Sequence, residues 1–183
     1  MSKIVRMFSA LVGMFLLSAC VVTTEESVYI EKFGWEDPQL SGVWQYVSEK
    51  ATEPSSERII ITDIGDGIYI VTNTNPSEKE GVLRLMRFSS NIIFTFESFE
   101  TAESDFTFTV AGVYQNDGKR LSFSILDTSL FDKVIPYLEY TKTDKGFLSE
   151  VVLTDTKVNV ISFILEKADN KDVFDRLGYV RVR

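Results

Sequence analysis

Four carboxylates, Glu97, Glu100, Glu103 and Asp105, fall close together between two phenylalanine-rich stretches. A pair of carboxylates can hydrolyse a glycosidic bond without an imidazole. That is the widest enzymatic opening in the chain, because it holds no histidine and Cys20 is its one cysteine. Ser-His-Asp and Cys-His catalysis both need an imidazole to carry the nucleophile's proton near neutral pH, so neither can operate. Zinc loses its usual nitrogen and sulfur ligands for the same reason. No spacing within the acidic group marks a catalytic pair, and a solvated loop that keeps neighbouring strands from aggregating accounts for it equally. Asp63, Asp66 and Gly67 supply too few oxygen ligands for a calcium loop and suit a hairpin turn. The residues thus point away from catalysis, metal and cofactor.

One reactive group remains, the thiol of Cys20. It follows Lys3 and Arg6, an apolar run from Met7 to Leu17, and the small residues Ser18 and Ala19. Charged, then apolar, then small is the order of a secretory signal. The run is too short to serve as a membrane-spanning anchor. Leu17-Ser18-Ala19-Cys20 resembles the lipobox of bacterial lipoproteins. The resemblance implies that residues 1–19 are a removed signal peptide, that Cys20 becomes the acylated amino terminus, and that its acyl chains tie the protein to a membrane. An ordinary signal with a chance cysteine is the competing reading. Val21 stands where lipoproteins kept in the inner membrane of enteric bacteria carry aspartate, so the resemblance implies the outer membrane, facing the periplasm.

Removing residues 1–19 takes away two cations and no acid, so 19 cations become 17 against 27 acids and the formal charge is −10. That charge opposes a nucleic-acid partner. It also opposes electrostatic attachment to anionic lipid, leaving the acyl group as the membrane tie. The remaining 164 of 183 residues suit one domain with a real core. Without a second cysteine, no internal disulfide can form.

Residues 20–39 are expected to be a lipidated tether and amino-terminal segment. Val21 to Ser27 forms the polar part, and the piece as a whole reaches roughly 60 Å when extended. From Gly42 the pattern is period two broken by turn residues, which predicts antiparallel strands joined by hairpins. Phe106, Phe108, Val110 and Tyr114 alternate with threonines, Asp117-Gly118 makes a turn, and Leu121, Phe123 and Ile125 alternate with serines. Arg58 to Ile64 is expected to meet Ile68 to Thr72 across Gly65-Asp66-Gly67, and Val82 to Phe88 to meet Ile92 to Ser98 across Ser89-Ser90-Asn91. Further strands are expected at Tyr137 to Thr143, Phe147 to Thr154, Val158 to Leu165 and Tyr179 to Arg183. Short helices are expected at Ser129 to Ile135 and at Asp169 to Leu177, the second with Gly178 as its stop. So many strands leave exposed edges unless the sheet closes, and an all-β, antiparallel up-and-down meander closing into a barrel, with two short helices, satisfies the pattern.

Gly42-Val43-Trp44, at the head of those strands, resembles the Gly-x-Trp motif that opens the first strand of lipocalins and related calycins. The resemblance implies a lipocalin-like barrel over residues 40–183, with Trp44 plugging the closed end and an arginine, Arg181 or Arg183 if either, covering it. A carboxyl-terminal helix followed by a short strand is also similar to that family. The Thr-Asp-Tyr turn of the second lipocalin motif has no counterpart here. Read without the resemblance, Gly42 is a strand start and Trp44 a core aromatic.

Fourteen Phe, seven Tyr and two Trp can simply fill a small barrel. If the interior is partly open, its lining would take a small hydrophobic ligand, and Trp44, Phe94, Phe96, Phe106, Phe108 and Phe123 are the residues expected there. The chain is thus expected to be a non-enzymatic envelope lipoprotein that binds such a ligand. The alternative is an interaction or inhibitor module that engages another envelope protein through its acidic surface and its loops at Asn73 to Glu80 and Thr101 to Asp105.

Overall fold

Period-two stretches with one apolar face become strands only if that face is covered, and here a single sheet covers its own by curling shut. The computed structural model describes residues 20–47, 58–73, 79–99, 109–126, 138–145, 148–170 and 173–182. Its strands are β1 (Cys20–Thr24), β2 (Gly42–Val47), β3 (Arg58–Asp63), β4 (Ile68–Asn73), β5 (Lys79–Phe88), β6 (Asn91–Ser98), β7 (Thr109–Asn116), β8 (Arg120–Leu126), β9 (Tyr140–Lys145), β10 (Leu148–Leu153) and β11 (Phe174–Arg181). The strands from β2 to β8 pair in sequence order, each antiparallel to the next. β11 then pairs with both β8 and β2, which closes an eight-stranded barrel. The hairpins expected across Gly65-Asp66-Gly67, Ser89-Ser90-Asn91 and Asp117-Gly118 are present, with Asn91 already paired in β6 and positive φ at Gly65, Asp66, Gly67, Ser89 and Gly118.

A three-strand flap leaves the barrel beside β7. Thr24 of β1 is opposite Thr109, β10 runs parallel to β1, and β9 is antiparallel to β10. The sheet is therefore mostly, not wholly, an antiparallel meander. Val21 to Ser27, expected as a polar spacer, starts instead as strand, with Val22, Thr23 and Thr24 buried.

The stretch expected as a strand from Val158 to Leu165 is an α-helix, α1 (Lys157–Lys167). Its β-branched residues suggest a strand, but Thr156 caps the helix by accepting a hydrogen bond from the Asn159 amide at 3.3 Å. Asp155 reinforces the start, accepting from Asn159 Nδ2 at 2.7 Å. Burial at Val160, Ile161, Phe163 and Ile164 follows a helical period, while Val158 is 63% exposed.

Conversely, the helix expected from Asp169 to Leu177 gives way to β11, which begins at Phe174. Only a strand there can satisfy both β2 and β8, so tertiary pairing overrides the local pattern. Gly178, expected as a helix stop, lies in that strand between Val47 and Ser122. The order of helix then strand stands, with the helix earlier in the chain. Ser129 to Ile135 lies outside the described residues.

Two apolar clusters share the barrel wall. Inside lie Trp44, Ile59, Tyr69, Leu85, Phe94 and Phe123 with their neighbours. Outside, Met86, Ile93, Ala111 and Val113 pack with Val22, Val151, Leu153 and the buried face of α1. Gly112 of β7 faces the wall closely, since a Cβ there would come within 2.0 Å of the Ser124 carbonyl oxygen.

The helical assignment has a direct consequence for mutants. Ile164→Ala is expected to cost about 2–5 kcal/mol, while Val158→Gln changes stability by less than about 0.5 kcal/mol. Urea unfolding midpoints check this. Comparable losses at both positions would mean that they share one buried strand face instead.

Candidate functional site

Alternation along the barrel strands turns Ile59, Ile61, Val71, Leu83, Phe94, Phe96, Phe123 and Ile125 inward, and with Leu177 and Tyr179 of β11 they line an internal cavity. Its volume is about 20 Å³. That is room for about one water molecule, and an apolar space of that size stays dry. Phe123 is the hub of the packing. Its ring centroid lies 5.0 Å from Phe94, 5.7 Å from Tyr114 and 6.1 Å from Tyr179, in tilted or edge-on geometries that aromatic quadrupoles favour.

Of the residues expected to contact a ligand, Phe94, Phe96 and Phe123 meet at this cavity. Phe106 and Phe108 lie outside the described residues. Trp44 is fully buried in the same cluster but is not among the lining residues. The aliphatic lining was not singled out by alternation, since Ile60 between Ile59 and Ile61 is apolar as well. Leu177 was hidden by the helix expected over its segment.

Trp44 lies at the end of the barrel where the chain enters β2. Its indole Nε1 donates to the Leu40 carbonyl at 2.8 Å. The Arg181 guanidinium lies over its ring, 4.8 Å from the centroid, a cation–π contact. Arg181 also donates through Nη2 to the carbonyls of Gln39 and, at 3.0 Å, Ser41. Gly42 has φ +149°, a conformation that L side chains rarely adopt, just where the chain turns into β2. Arg181 is thus the arginine that covers the tryptophan. Arg183 lies outside the described residues.

The segment that carries Leu40 across this end is pinned by Asp37, which is buried. Oδ2 accepts from the Tyr114 hydroxyl at 2.5 Å and from Asn116 Nδ2 at 2.9 Å. Oδ1 accepts from the Gln39 amide at 2.8 Å. The Asp37 amide donates to the Tyr69 hydroxyl at 2.8 Å, and that hydroxyl lies 3.2 Å from the Asp37 carbonyl, to which it donates. These donors, rather than an ion pair among the described residues, meet the buried carboxylate, as such a group requires. Burial first, and then neighbouring carboxylates, push Tyr69 up to about 12. Burial also raises Tyr114, reinforced by its hydrogen bond to Asp37. Sequence reasoning missed this cluster, because Asp37 and Tyr114 lie 77 positions apart and no local pattern links them.

Among the described residues, no group of three or more metal-ligating side chains converges. Of the acidic residues weighed at the outset, Glu97 pairs with Arg84 at 2.8 Å, and Glu100, Glu103 and Asp105 lie outside the described residues.

Two outcomes are expected. Phe123→Ala removes the hub and is expected to cost about 3–5 kcal/mol in urea unfolding; a loss below about 1 kcal/mol would mean a loosely filled interior. Tyr69 and Tyr114 have raised values in the folded state, so they stay neutral where unfolded tyrosine ionises, near 10. The stability this linkage gives is therefore whole below about pH 10 and falls as pH rises through about 12. Unfolding midpoints measured across that window should drop for the parent and drop less steeply for Tyr69→Phe with Tyr114→Phe. Equal slopes would contradict the assignment. Comparison of the chain with family models, curated proteins and solved structures finds no match.

Proposed function

We propose that this protein is an envelope lipoprotein, acylated at Cys20 and facing the periplasm from the outer membrane, in which a lipocalin-like barrel is a filled scaffold for contact with another envelope protein. The lipid anchor rests on the signal-like residues 1–19 and on Leu17-Ser18-Ala19-Cys20. The lipocalin-like character is supported by Trp44 under Arg181.

The observation that carries the scaffold reading is the volume, about 20 Å³, of the cavity found among the described residues of the barrel interior. Small-molecule sites occupy roughly 300 Å³ or more and bring a few polar groups together to orient the ligand. Here the lining residues are aliphatic and aromatic, with the Tyr179 hydroxyl the one polar side-chain group among them. With the interior filled, recognition falls to the surface and loops, on a domain whose formal charge without residues 1–19 is −10.

A second reading, a small hydrophobic ligand held in the barrel, is favoured by that same apolar lining around Phe94, Phe96 and Phe123. It requires those side chains to move apart on binding.

Affinity capture from detergent-solubilised membranes separates the two. The scaffold reading expects one envelope protein to be recovered in proportion, lost as salt is raised, and weakened about tenfold at low salt by combined Glu100→Gln, Glu103→Gln and Asp105→Asn. Recovery of nothing at low ionic strength, or an apolar compound extracted from the purified chain in equal amount, would overturn it.

A further inference from the structure

The sheet leaves no slack at the residue read as lipidated. Cys20 is the first residue of β1 and is already in register with Ser149 of β10, which is itself opposite Asp144 of β9. Two residues on, Val22 is 5% exposed and belongs to the outer apolar cluster. The ladder continues past β1, where the Glu25 amide donates to the Leu153 carbonyl at 3.1 Å. A free spacer would need residues that are neither paired nor buried, and none stands between Cys20 and the ladder.

We infer that the bilayer surface lies against the Asp144 and Ser149 end of the β9–β10 pair, so that the domain is seated on lipid in a fixed orientation rather than swung on a tether. This rests on the reading of Cys20 as acylated. Neighbouring strands lie about 4.8 Å apart, which puts the Asp144 backbone within roughly 10 Å of the Cys20 backbone across β10. Acyl chains attached at Cys20 must begin at the membrane surface, so that edge must reach it too. The negative charge of the domain gives no electrostatic pull toward anionic lipid. Strand pairing, rather than charge, sets the orientation.

The test uses the full chain, processed and acylated in cells and reconstituted into phosphatidylcholine vesicles carrying a spin-labelled headgroup lipid. Acylation consumes the thiol of Cys20, the one native cysteine, so Asp144→Cys accepts a fluorophore uniquely. Ser149→Cys serves if the first variant misfolds. A second chain carries a 20-residue Gly-Ser insertion between Cys20 and Val21, which gives a root-mean-square reach of roughly 25 Å.

Strong quenching in the direct chain, falling by more than half in the spacer chain at equal vesicle binding, is the expected result. Equal quenching in both would overturn the seated orientation and leave the anchor standing. A chain with no acyl mass that stays off the vesicles would overturn the anchor reading, and the orientation with it.

Discussion

An antiparallel sheet of the seven strands β2 to β8 has two edges with unmet amides and carbonyls, and the last described strand of this chain removes both. β11 fits between β2 and β8, with Tyr179 opposite Tyr46 on one side and Leu121 on the other. The same strand brings Arg181 over Trp44 and supplies Leu177 and Tyr179 to the interior. Closure, capping of one end and completion of the core are therefore one event. The cost of leaving those groups unpaired explains why β11 forms despite a sequence that locally suggests a helix.

Closure has a second consequence in the wall itself. Once the barrel is shut, its outer face on β5, β6 and β7 still carries Met86, Ile93, Ala111 and Val113, and these need cover of their own. Helix α1 and the flap of β1 and β10 provide it. The two clusters lie back to back across one layer of backbone, so a strand such as β6 is buried on both faces from Ile93 to Phe96. Such a wall is held from both sides, consistent with the small volume of the void between its described residues.

Much of the architecture was legible because hairpins are local. Alternating residues and turn signals such as Asp117-Gly118 place β3 to β8 within a few residues of where they lie. The failures occur where tertiary structure decides. Val158 to Leu165 alternates like a strand, yet Thr156 and Asp155 cap it into a helix, and Phe174 to Arg181 is recruited as a strand by two partners far away in sequence. The β9–β10 hairpin of the flap was legible, but its docking on β1 was not, since a parallel pairing between Cys20 and Ser149 leaves no nearby turn to announce it. At the interior, the aromatic residues of β6 and β8 were readable from alternation, but the void they leave depends on rotamers that a sequence does not specify. The Asp37 cluster shows the same limit, for its parts lie on three distant segments and only the fold assembles them.

The central claim is that the barrel is full. Native mass spectrometry of the protein purified from its native cells under non-denaturing conditions tests it most directly. A filled scaffold gives the mass of the chain with its covalent modifications alone, or that mass with a protein partner. A stoichiometric non-covalent small molecule, removed by organic extraction and lost on Phe94→Trp or Phe123→Trp in an otherwise folded chain, would contradict it.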